Sequence, residues 1–133
     1  MIFRALDISG SALTAERLRL NVIADNLANM DTHSTATRPA YRRLLVQFAP
    51  RPGGSFGDGV MVTGIVADPS ALKPVYEPGN PNADAQGYVY YPNVNPVKEM
   101  TDLVSASRSY EANVTATTDE KTVDGAILGV LRA

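Results

Sequence analysis

The sequence predicts a mainly α-helical protein in which two long terminal helices flank a small insertion of β-strands and loops. Near the amino terminus, leucines recur every seven residues. Toward the carboxyl terminus, a second segment with similar spacing follows the helix-starting pair Asn95-Pro96. Between the two, residues 33–95 contain eight of the nine prolines. Chain ends are normally the least ordered parts of a domain, so ends with this much pattern are expected to pack on each other or on other subunits.

The composition is that of one folded domain without thiol chemistry. The chain has 133 residues, 44% of them hydrophobic, which is normal for a globular domain and argues against disorder. The formal net charge is −2, and the basic residues are scattered apart from Arg42-Arg43, so a nucleic-acid-binding face is disfavoured. Cysteine is absent, which excludes disulfides, thiol catalysis and thiolate metal sites.

No part of the sequence has the character of a membrane span or of a cleaved leader. No apolar run approaches the ~20 residues that cross a bilayer. At the N-terminus, Arg4 and Asp7 interrupt the apolar core of ~7–15 residues that a signal peptide needs. We therefore expect neither membrane insertion nor a cleaved signal peptide.

The first helix is expected from about residue 5 to residue 29. One apolar stripe has the seven-residue spacing of helices that pack side by side; it comprises Leu6, Leu13, Leu20 and Leu27. A second stripe lies almost opposite when residues are stepped at ~100°; it comprises Ile8, Ala15, Leu18 and Val22. One partner cannot cover both, so this helix either sits centrally in its own domain or is surrounded in an assembly. It should end near Asn29 to Asp31, since Asn and Asp favour helix ends and turns.

Residues 33–92 have the composition of a small, irregular β insertion. Three β-like runs alternate with turn sequences rich in Gly and Pro; they are 44–48, 60–62 with 65–66, and 88–91. The glycine-rich stretch 53–59 leads into strand-like rather than helical sequence. We therefore interpret it as a hairpin turn and not as a phosphate-binding loop.

The second helix should begin with Asn95 as N-cap and Pro96 at the first helical position, and should run to about residue 131. Its apolar positions again follow a seven-residue rhythm. Gly125 and Gly129 each weaken the last turns by ~1 kcal/mol relative to Ala, so fraying is expected at the end.

Both helices together supply the candidate packing and assembly residues. We expect them to run antiparallel in a coiled-coil-like axial domain formed by residues 1–32 and 93–133, from which the insertion 33–92 projects. The residues expected in these contacts are Leu6, Leu13, Leu18, Leu20, Val22, Leu27, Met100, Leu103, Tyr110 and Val114. The leucine stripe should face the last four of these residues, which belong to the second helix. Only a neighbouring subunit should cover the other stripe, which contains Leu18 and Val22.

The sequence supplies no convincing catalytic, cofactor-binding or metal-binding set. His33 is the only histidine, and Asp31 alone is not enough to build a triad or a zinc site around it. An exposed loop histidine is the better interpretation. The acidic residues of the insertion lack the alternating spacing of a calcium loop; they are Asp58, Asp68, Glu77 and Asp84. We expect no catalytic residue, no cofactor and no metal ion.

Two blocks of the sequence resemble the bacterial flagellar rod and hook proteins. The first is the helical segment 11–32, with its Ala-Asn turn at Ala28-Asn29. The second, spread over 75–81, 83–89, 92–94, 99–100 and 106–113, is similar to the corresponding part of a proximal rod subunit. Both blocks have the order and separation of that family. Residues 33–73 match nothing distinctive, and the tail 117–133 is more polar than is usual in the family.

The resemblance implies a non-enzymatic structural subunit of the flagellar basal-body rod in the periplasm, exported by the flagellum-specific type III apparatus without a cleaved signal peptide. It implies helical stacking with copies of itself and with other rod proteins of the FlgB, FlgF, FlgG and FliE types. Contacts with nucleic acid and insertion into a membrane are not implied.

Three other interpretations are open at the level of sequence. The first is another rod or hook axial subunit, and the second is a cytosolic coiled-coil adaptor. The third is a cell-wall-acting enzyme with Glu77 and Asp84 as its acid/base pair. Glycoside hydrolysis requires two carboxyl groups that converge on one cleft, and two turn residues seven positions apart give no reason to expect convergence.

Overall fold

The computed structural model describes residues 2–52 and 59–131, and within them two long helices flank two small antiparallel sheets. The elements in chain order are α1 (Ile2–Ala28), β1 (Leu44–Pro50), β2 (Val60–Ala67), β3 (Lys73–Tyr76), β4 (Tyr88–Tyr91) and α2 (Pro96–Leu131). The mainly α-helical architecture with a small β insertion is confirmed. The glycine-rich stretch 53–58 lies outside the described residues, but β1 and β2 on either side of it pair antiparallel, as a hairpin requires.

α1 begins at Ile2, before the predicted start near residue 5, whereas the end of α1 and the start of α2 lie where they were predicted, because the capping residues there act locally. At the end of α1, the backbone N–H and the side-chain amide of Asn29 both donate to the carbonyl of Asp25, at 3.1 and 2.9 Å. At the start of α2, Asn95 Oδ1 accepts the N–H groups of Val97 and Lys98, at 3.0 and 3.3 Å. These N–H groups have no partner inside the helix, so the cap replaces bonds to water. α2 continues to residue 131 despite its two glycines.

The two helices pack antiparallel, as predicted. Ser9 near the start of α1 donates a hydrogen bond to Glu120 Oε1 near the end of α2, at 3.4 Å. Asn26 near the end of α1 donates to Glu99 Oε2 near the start of α2, at 3.1 Å. Contacts at both ends with reversed order define an antiparallel pair. The leucine stripe of α1 is half-buried along its length.

The face of α2 that is buried differs in part from the predicted one. Leu103 and Tyr110 are half-buried as expected, but Met100 and Val114 are 60% and 41% exposed. The covered positions alternate at four- and three-residue steps and include polar side chains; they are Glu99, Leu103, Ala106, Tyr110, Asn113, Thr117 and Glu120. A search for apolar periodicity misses such a row, because the buried position next to Met100 carries Glu99 and the half-buried position next to Val114 carries Asn113.

Three residues of the opposed stripe of α1, Ala15, Leu18 and Val22, are covered from within the chain, and for them the expectation that only a neighbouring subunit covers the stripe is wrong, whereas Ile8 is 37% exposed. Ala15 and Val22 are buried, and Leu18 is half-buried in a cleft that it shares with Met61 and Val62 of β2. The β1–β2 hairpin therefore lies on one side of α1 while α2 lies on another. α1 sits centrally in its own domain, which is the first of the two alternatives that its two stripes allowed.

The second sheet was predicted only in part. β4 is the run 88–91 expected from its alternating Tyr and Val, but its partner β3 has four residues and contains Pro74. Proline cannot donate to a strand ladder and is tolerated where its nitrogen faces away from the partner strand. Pro74 lies opposite Tyr90, whose backbone groups bond Ser34 rather than β3. Pro74 therefore removes no hydrogen bond between β3 and β4.

The apolar core is small for two helices of this length. Among the described residues, the buried hydrophobic side chains are Ala15, Val22, Ile23, Ala40, Val89 and Ala106. Three of them are alanines, and burial stabilises in proportion to apolar area, at about 25 cal/mol per Å². Polar contacts between elements must therefore carry more of the positioning than in a protein with a large core.

We expect Gly87→Ala to destabilise the β3–β4 hairpin by about 1–2 kcal/mol, since Gly87 has φ +84° and L-residues pay roughly that cost there. The new Cβ would also lie 3.0 Å from Tyr76 Cε2 and 3.2 Å from Pro78 Cβ. The matched control is Gly79→Ala in the same turn, where nothing lies within 4 Å. Urea unfolding of both variants measures the difference, and equal midpoints would contradict this account of the turn.

Candidate functional site

A buried polar cluster joins the end of α1, the start of β1 and the start of α2. At its centre, Glu99 is 0% exposed, and Asn26 and Arg43 are buried beside it. A buried carboxylate costs several kcal/mol unless it is paired and hydrogen-bonded. The sequence places these three residues far apart, so the cluster forms only when all three elements are in place.

Asn26 satisfies all of its hydrogen-bonding capacity inside this cluster. Its side-chain amide donates to the carbonyl of Leu44 at 2.9 Å and to Glu99 Oε2 at 3.1 Å. Its Oδ1 accepts the Leu44 N–H at 2.8 Å and the Tyr41 hydroxyl at 3.0 Å. Because an Asn amide bonds the N–H and C=O of one residue in the way that a neighbouring strand would, α1 is attached directly to the outer edge of β1.

Arg43 neutralises the buried charge. Its Nε donates to Glu99 Oε1, its Nη2 donates to Asp102 Oδ2 at 3.2 Å, and its Nη1 lies 3.6 Å from Asp68 Oδ2. Burial opposes the positive charge, but the bond to Glu99 and the charges of Glu99, Asp102 and Asp68 together raise the pKa of the Arg43 guanidinium. Burial is also the largest cause that raises the pKa of the neighbouring Tyr41 hydroxyl, with Asp25 and Glu99 adding to it.

The loop before α2 completes the cluster on the side of β2. Asn93 Oδ1 accepts the Arg43 N–H at 2.8 Å, and its amide donates to Ser70 Oγ at 2.8 Å. Asp68 Oδ1 accepts the Ser70 N–H at 2.8 Å. This backbone bond, the Ser70 hydroxyl and the charge of Arg43 lower the pKa of Asp68 against the opposing effect of desolvation. The segment after β2 and the loop before α2 are thus both attached to Arg43.

The cluster holds elements together through paired charges. Its carboxylates are bonded to Arg43, and Glu99 has no exposed surface. Within the part of the chain that the structure describes, no group of three or more His, Cys, Asp or Glu side chains could hold a metal ion. The same part contains no helix long and apolar enough to cross a membrane.

Glu77 and Asp84, the acid/base pair of the enzymatic interpretation, are both engaged in the β3–β4 turn. Asp84 Oδ1 accepts the N–H groups of Gln86 and Tyr88, each at 2.9 Å, and Oδ2 accepts the Tyr90 hydroxyl at 3.4 Å. Glu77 Oε1 accepts the Tyr91 hydroxyl at 3.4 Å. Consecutive residues of a strand point to opposite faces, so these tyrosines hold the two carboxylates on opposite sides of β4. A shared cleft for glycoside chemistry is not formed.

His33 does not lie in a site. It is half-buried, its Nδ1 lies 3.2 Å from the carbonyl of Asp31, and its ring centroid is 5.2 Å from that of Tyr91. His33 lies in the loop after α1, as predicted, although the ring is less exposed than expected.

Large apolar side chains are exposed on the outer face of α2. Near its start, Val97, Met100 and Val104 are exposed and line an open groove with Arg108. Near its end, the exposed apolar residues are Val123, Ile127, Leu128 and Val130. Contiguous exposed apolar surface of this kind marks interaction sites in soluble proteins. Met100 and Val114, which were predicted to contact α1, are 60% and 41% exposed.

Sequence reasoning found the helices but missed the buried cluster. Asn26, Arg43 and Glu99 were not among the predicted contact residues, which were all apolar or aromatic. One signal was available: Glu99 lies seven residues before Ala106, and Asn113 lies seven residues after it. A polar residue that falls at the spacing of the buried positions of a helix indicates a buried polar contact. The sequence does not show which residue is its partner.

Comparison with known proteins agrees with a structural role. The family model described as flagella basal body rod protein matches residues 6–33, and the model described as flagellar basal body rod FlgEFG protein C-terminal matches residues 85–130. These ranges cover most of α1 and nearly all of α2. The chain therefore has the paired terminal helices of a non-enzymatic flagellar rod protein.

Relatives that match most of the chain show to which family of rod proteins it belongs. The flagellar basal-body rod protein FlgC of Bacillus subtilis (strain 168) is 45% identical over 131 residues, covering 86% of this chain and 87% of the relative. FlgC of Borreliella burgdorferi is 38% identical over 149 residues, covering 98% of each. FlgC of Escherichia coli O6:H1 is 49% identical over 115 residues, covering 85% of each. The chain belongs to the FlgC family of flagellar basal-body rod proteins.

Arg43→Met should lower the free energy of unfolding by about 3–5 kcal/mol, because it leaves Glu99 charged and unpaired in the interior. The matched control is Arg51→Met. Arg51 pairs with Asp7 at 3.3 Å, but these side chains are 43% and 67% exposed, so the loss should stay below about 1 kcal/mol. Urea unfolding monitored by circular dichroism gives both values. Adding Glu99→Met to Arg43→Met should restore much of the stability, and a double variant as unstable as the single one would show that charge pairing is not the cause.

The stability that Asp84 gives to the β3–β4 turn should depend on pH. The Tyr88 N–H is the largest cause that lowers the pKa of Asp84, with Gln86, Tyr90 and Gly87 adding to it against the effect of burial. The pKa of Asp84 is lower in the folded state than in the unfolded chain. The stabilisation by Asp84 is therefore fully present above the unfolded-state pKa of about 3.9, and it is lost as the pH falls through the folded-state pKa. The wild type should therefore exceed Asp84→Asn in stability near neutral pH, and the difference should shrink below about pH 4. Urea midpoints across this range measure it, and a constant difference would contradict the assignment.

Proposed function

We propose that this rod subunit belongs to the proximal part of the rod, where it stacks helically with copies of itself and with other rod proteins and transmits torque. The observation that carries the proposal is the exposed apolar face of α2, formed by Val97, Met100 and Val104. This face lies on the side of α2 that points away from α1, and nothing in the described part of the chain covers it.

The helix pair and the buried cluster suit a part that carries load. Torque passes through a subunit only if its elements keep their relative positions. The small apolar core gives little resistance to sliding between α1 and α2, whereas the Asn26–Glu99–Arg43 contacts break if either helix moves along the other. The paired helices, residues 1–32 with 93–133, then act as the coiled-coil-like axial domain, and residues 33–92 form the insertion beside it.

The partners follow from the same arrangement. The chain exposes apolar surface at both ends of α2, which allows contact with neighbours above and below in a stack. Head-to-tail contacts that do not close into a ring generate helical filaments. The neighbours proposed are copies of this chain and rod proteins of the FlgB, FlgF, FlgG and FliE types. The proposed location is the periplasmic rod, reached through the type III export apparatus without a cleaved signal peptide.

Met100→Asp should separate folding from assembly. Met100 is 60% exposed, so the charge stays in water in the free subunit, and stability should change by less than about 0.5 kcal/mol. In the rod the same charge would be buried without a partner and would block incorporation. The comparison variant is Leu103→Asp, one turn away and half-buried against the rest of the fold, which should destabilise the free subunit as well.

The readouts are urea unfolding of the purified subunit, basal bodies isolated from cells that carry each variant as their only copy, and motility in soft agar. Motility and basal bodies should be lost with both variants, while only Leu103→Asp changes the urea midpoint. Normal basal bodies that contain Met100→Asp would show that the outer face of α2 meets solvent in the rod, and the proposal would lose its main support.

A further inference from the structure

We propose that the β1–β2 hairpins of neighbouring copies of this chain join edge to edge, so that β2 of one copy pairs antiparallel with β1 of the next. This inference rests on the proposed function, since it assigns one contact within the homo-oligomeric stack. It follows from the direction of each backbone group along the two strands.

The hydrogen bonds between β1 and β2 determine which backbone groups are outward, that is, point away from the partner strand of the hairpin. Opposed residues of an antiparallel pair alternate between exchanging both hydrogen bonds and exchanging none. The carbonyl of Arg43 accepts the Asp68 N–H at 2.8 Å, and the Arg51 N–H donates to the carbonyl of Gly59 at 2.9 Å. With the register of the strands and the bulge between Gln47 and Phe48, the outward groups belong to Leu44, Val46, Phe48 and Pro50 on β1, and to Val60, Val62, Ile65 and Ala67 on β2.

At the ends of the hairpin, the fold occupies or removes outward groups of Leu44, Pro50 and Val60. Asn26 bonds both backbone groups of Leu44, and Pro50 has no N–H to offer. On β2, the Val60 N–H donates to Ser11 Oγ at 3.0 Å. α1 therefore crosses the hairpin diagonally, from the edge of β1 at one end to the edge of β2 at the other.

The middle of both edges is open. Among the described residues, no hydrogen bond reaches the outward backbone groups of Val46 and Phe48 on β1, or of Val62 and Ile65 on β2. Neither strand contains a charged residue, although charges and prolines are the usual means of preventing edge pairing. Ile65 also exposes 46% of its surface beside this edge.

The second sheet of the same chain is protected where the hairpin is not. On the outer edge of β4, Asp84 bonds both backbone groups of Tyr88, and Ser34 bonds both backbone groups of Tyr90. On the outer edge of β3, Pro74 removes a donor. The outer edge of β4 is therefore closed at both of its outward residues and the edge of β3 is interrupted by a proline, and this contrast indicates that the open edges of β1 and β2 are used.

The two open edges match each other when copies lie side by side without a shift along the strands. Val46 lies opposite Ile65 and Phe48 opposite Val62 within one copy. When neighbouring copies are not shifted along the strands, Val46 of one copy lies opposite Ile65 of the next, and Phe48 lies opposite Val62. Each of these pairs exchanges two backbone hydrogen bonds, which gives about four hydrogen bonds per contact. The covered groups of Leu44 and Val60 fall at the two ends of this stretch, outside it. Pairing of two different edges is head-to-tail and can repeat from copy to copy, as a stack requires.

Disulfide cross-linking in basal bodies tests this pairing, because the native chain has no cysteine. Cells would produce two subunits together, one with Val46→Cys and one with Ile65→Cys. A single cysteine per copy means that every cross-link joins two copies. The double variant Val46→Cys/Ile65→Cys in one chain is the control for oxidation, since these residues are opposed within the hairpin and their separation suits a disulfide.

The expected result is a cross-linked dimer that contains one subunit of each kind, with few dimers of Ile65→Cys alone. Both variants present in basal bodies without a mixed dimer would overturn the inference, as would dimers of Ile65→Cys alone, which require a two-fold arrangement. Absence of the unmodified chain from basal bodies would instead overturn the proposed function. The pair Phe48→Cys with Val62→Cys gives the same readout at a second position.

Proline substitution tests the inference without cross-linking. Ile65→Pro removes an outward N–H that the hairpin does not use, so the circular dichroism and urea midpoint of the free subunit should stay close to those of Ile65→Val. The number of basal bodies that contain the subunit should fall about tenfold, which corresponds to the loss of one hydrogen bond at each contact, at the upper end of the range of its strength. Basal bodies in normal number with Ile65→Pro subunits would overturn the pairing.

Discussion

The burial of the Glu99 carboxylate is the constraint on which the rest of this structure depends. A charged group with no exposed surface is tolerated only with a full set of partners, and Glu99 obtains them from α1, through Asn26, and from the start of β1, through Arg43. These elements cannot shift separately without leaving a charge or an amide unpaired. One carboxylate therefore fixes the register of the helix pair and the attachment of the insertion.

This arrangement explains how a chain with a small core has a defined shape. Helices that meet through large apolar side chains gain stability from area, but such contacts tolerate sliding because they have little direction. Hydrogen bonds to a charged group are directional and are lost over short displacements. In this subunit the directional contacts lie between elements, and many large apolar side chains remain on the outside. A rod subunit has a use for both, since it must keep its shape under load and must also present surface to its neighbours.

The two sheets show the same division between closed and available surface. β4 has its outer backbone groups bonded by Asp84 and Ser34, so the second sheet ends within the subunit. The β1–β2 hairpin is tied to α1 by Asn26 and Ser11 at its ends and is open between them. The carboxylate of Asp84 is best understood as part of this closure and not as a catalytic group, because all of its contacts are to the backbone and hydroxyl of the neighbouring strand and turn.

The sequence by itself determined the two helices, the β1–β2 hairpin and β4, and the tertiary structure decided the strand β3 and how the elements meet. The end of α1, the start of α2, the hairpin and the run 88–91 could be predicted because caps, prolines and residue alternation act over a few positions. The mainly α-helical class followed from them, and the resemblance to rod proteins came from two short blocks of sequence. The buried face of α2 could be predicted only in part, through Leu103 and Tyr110, since Glu99 and Asn113 also occupy it in place of apolar residues. The cover over Leu18 and the four bonds of Asn26 likewise depend on residues distant in the chain, and no local pattern encodes which polar partner a buried polar side chain will meet.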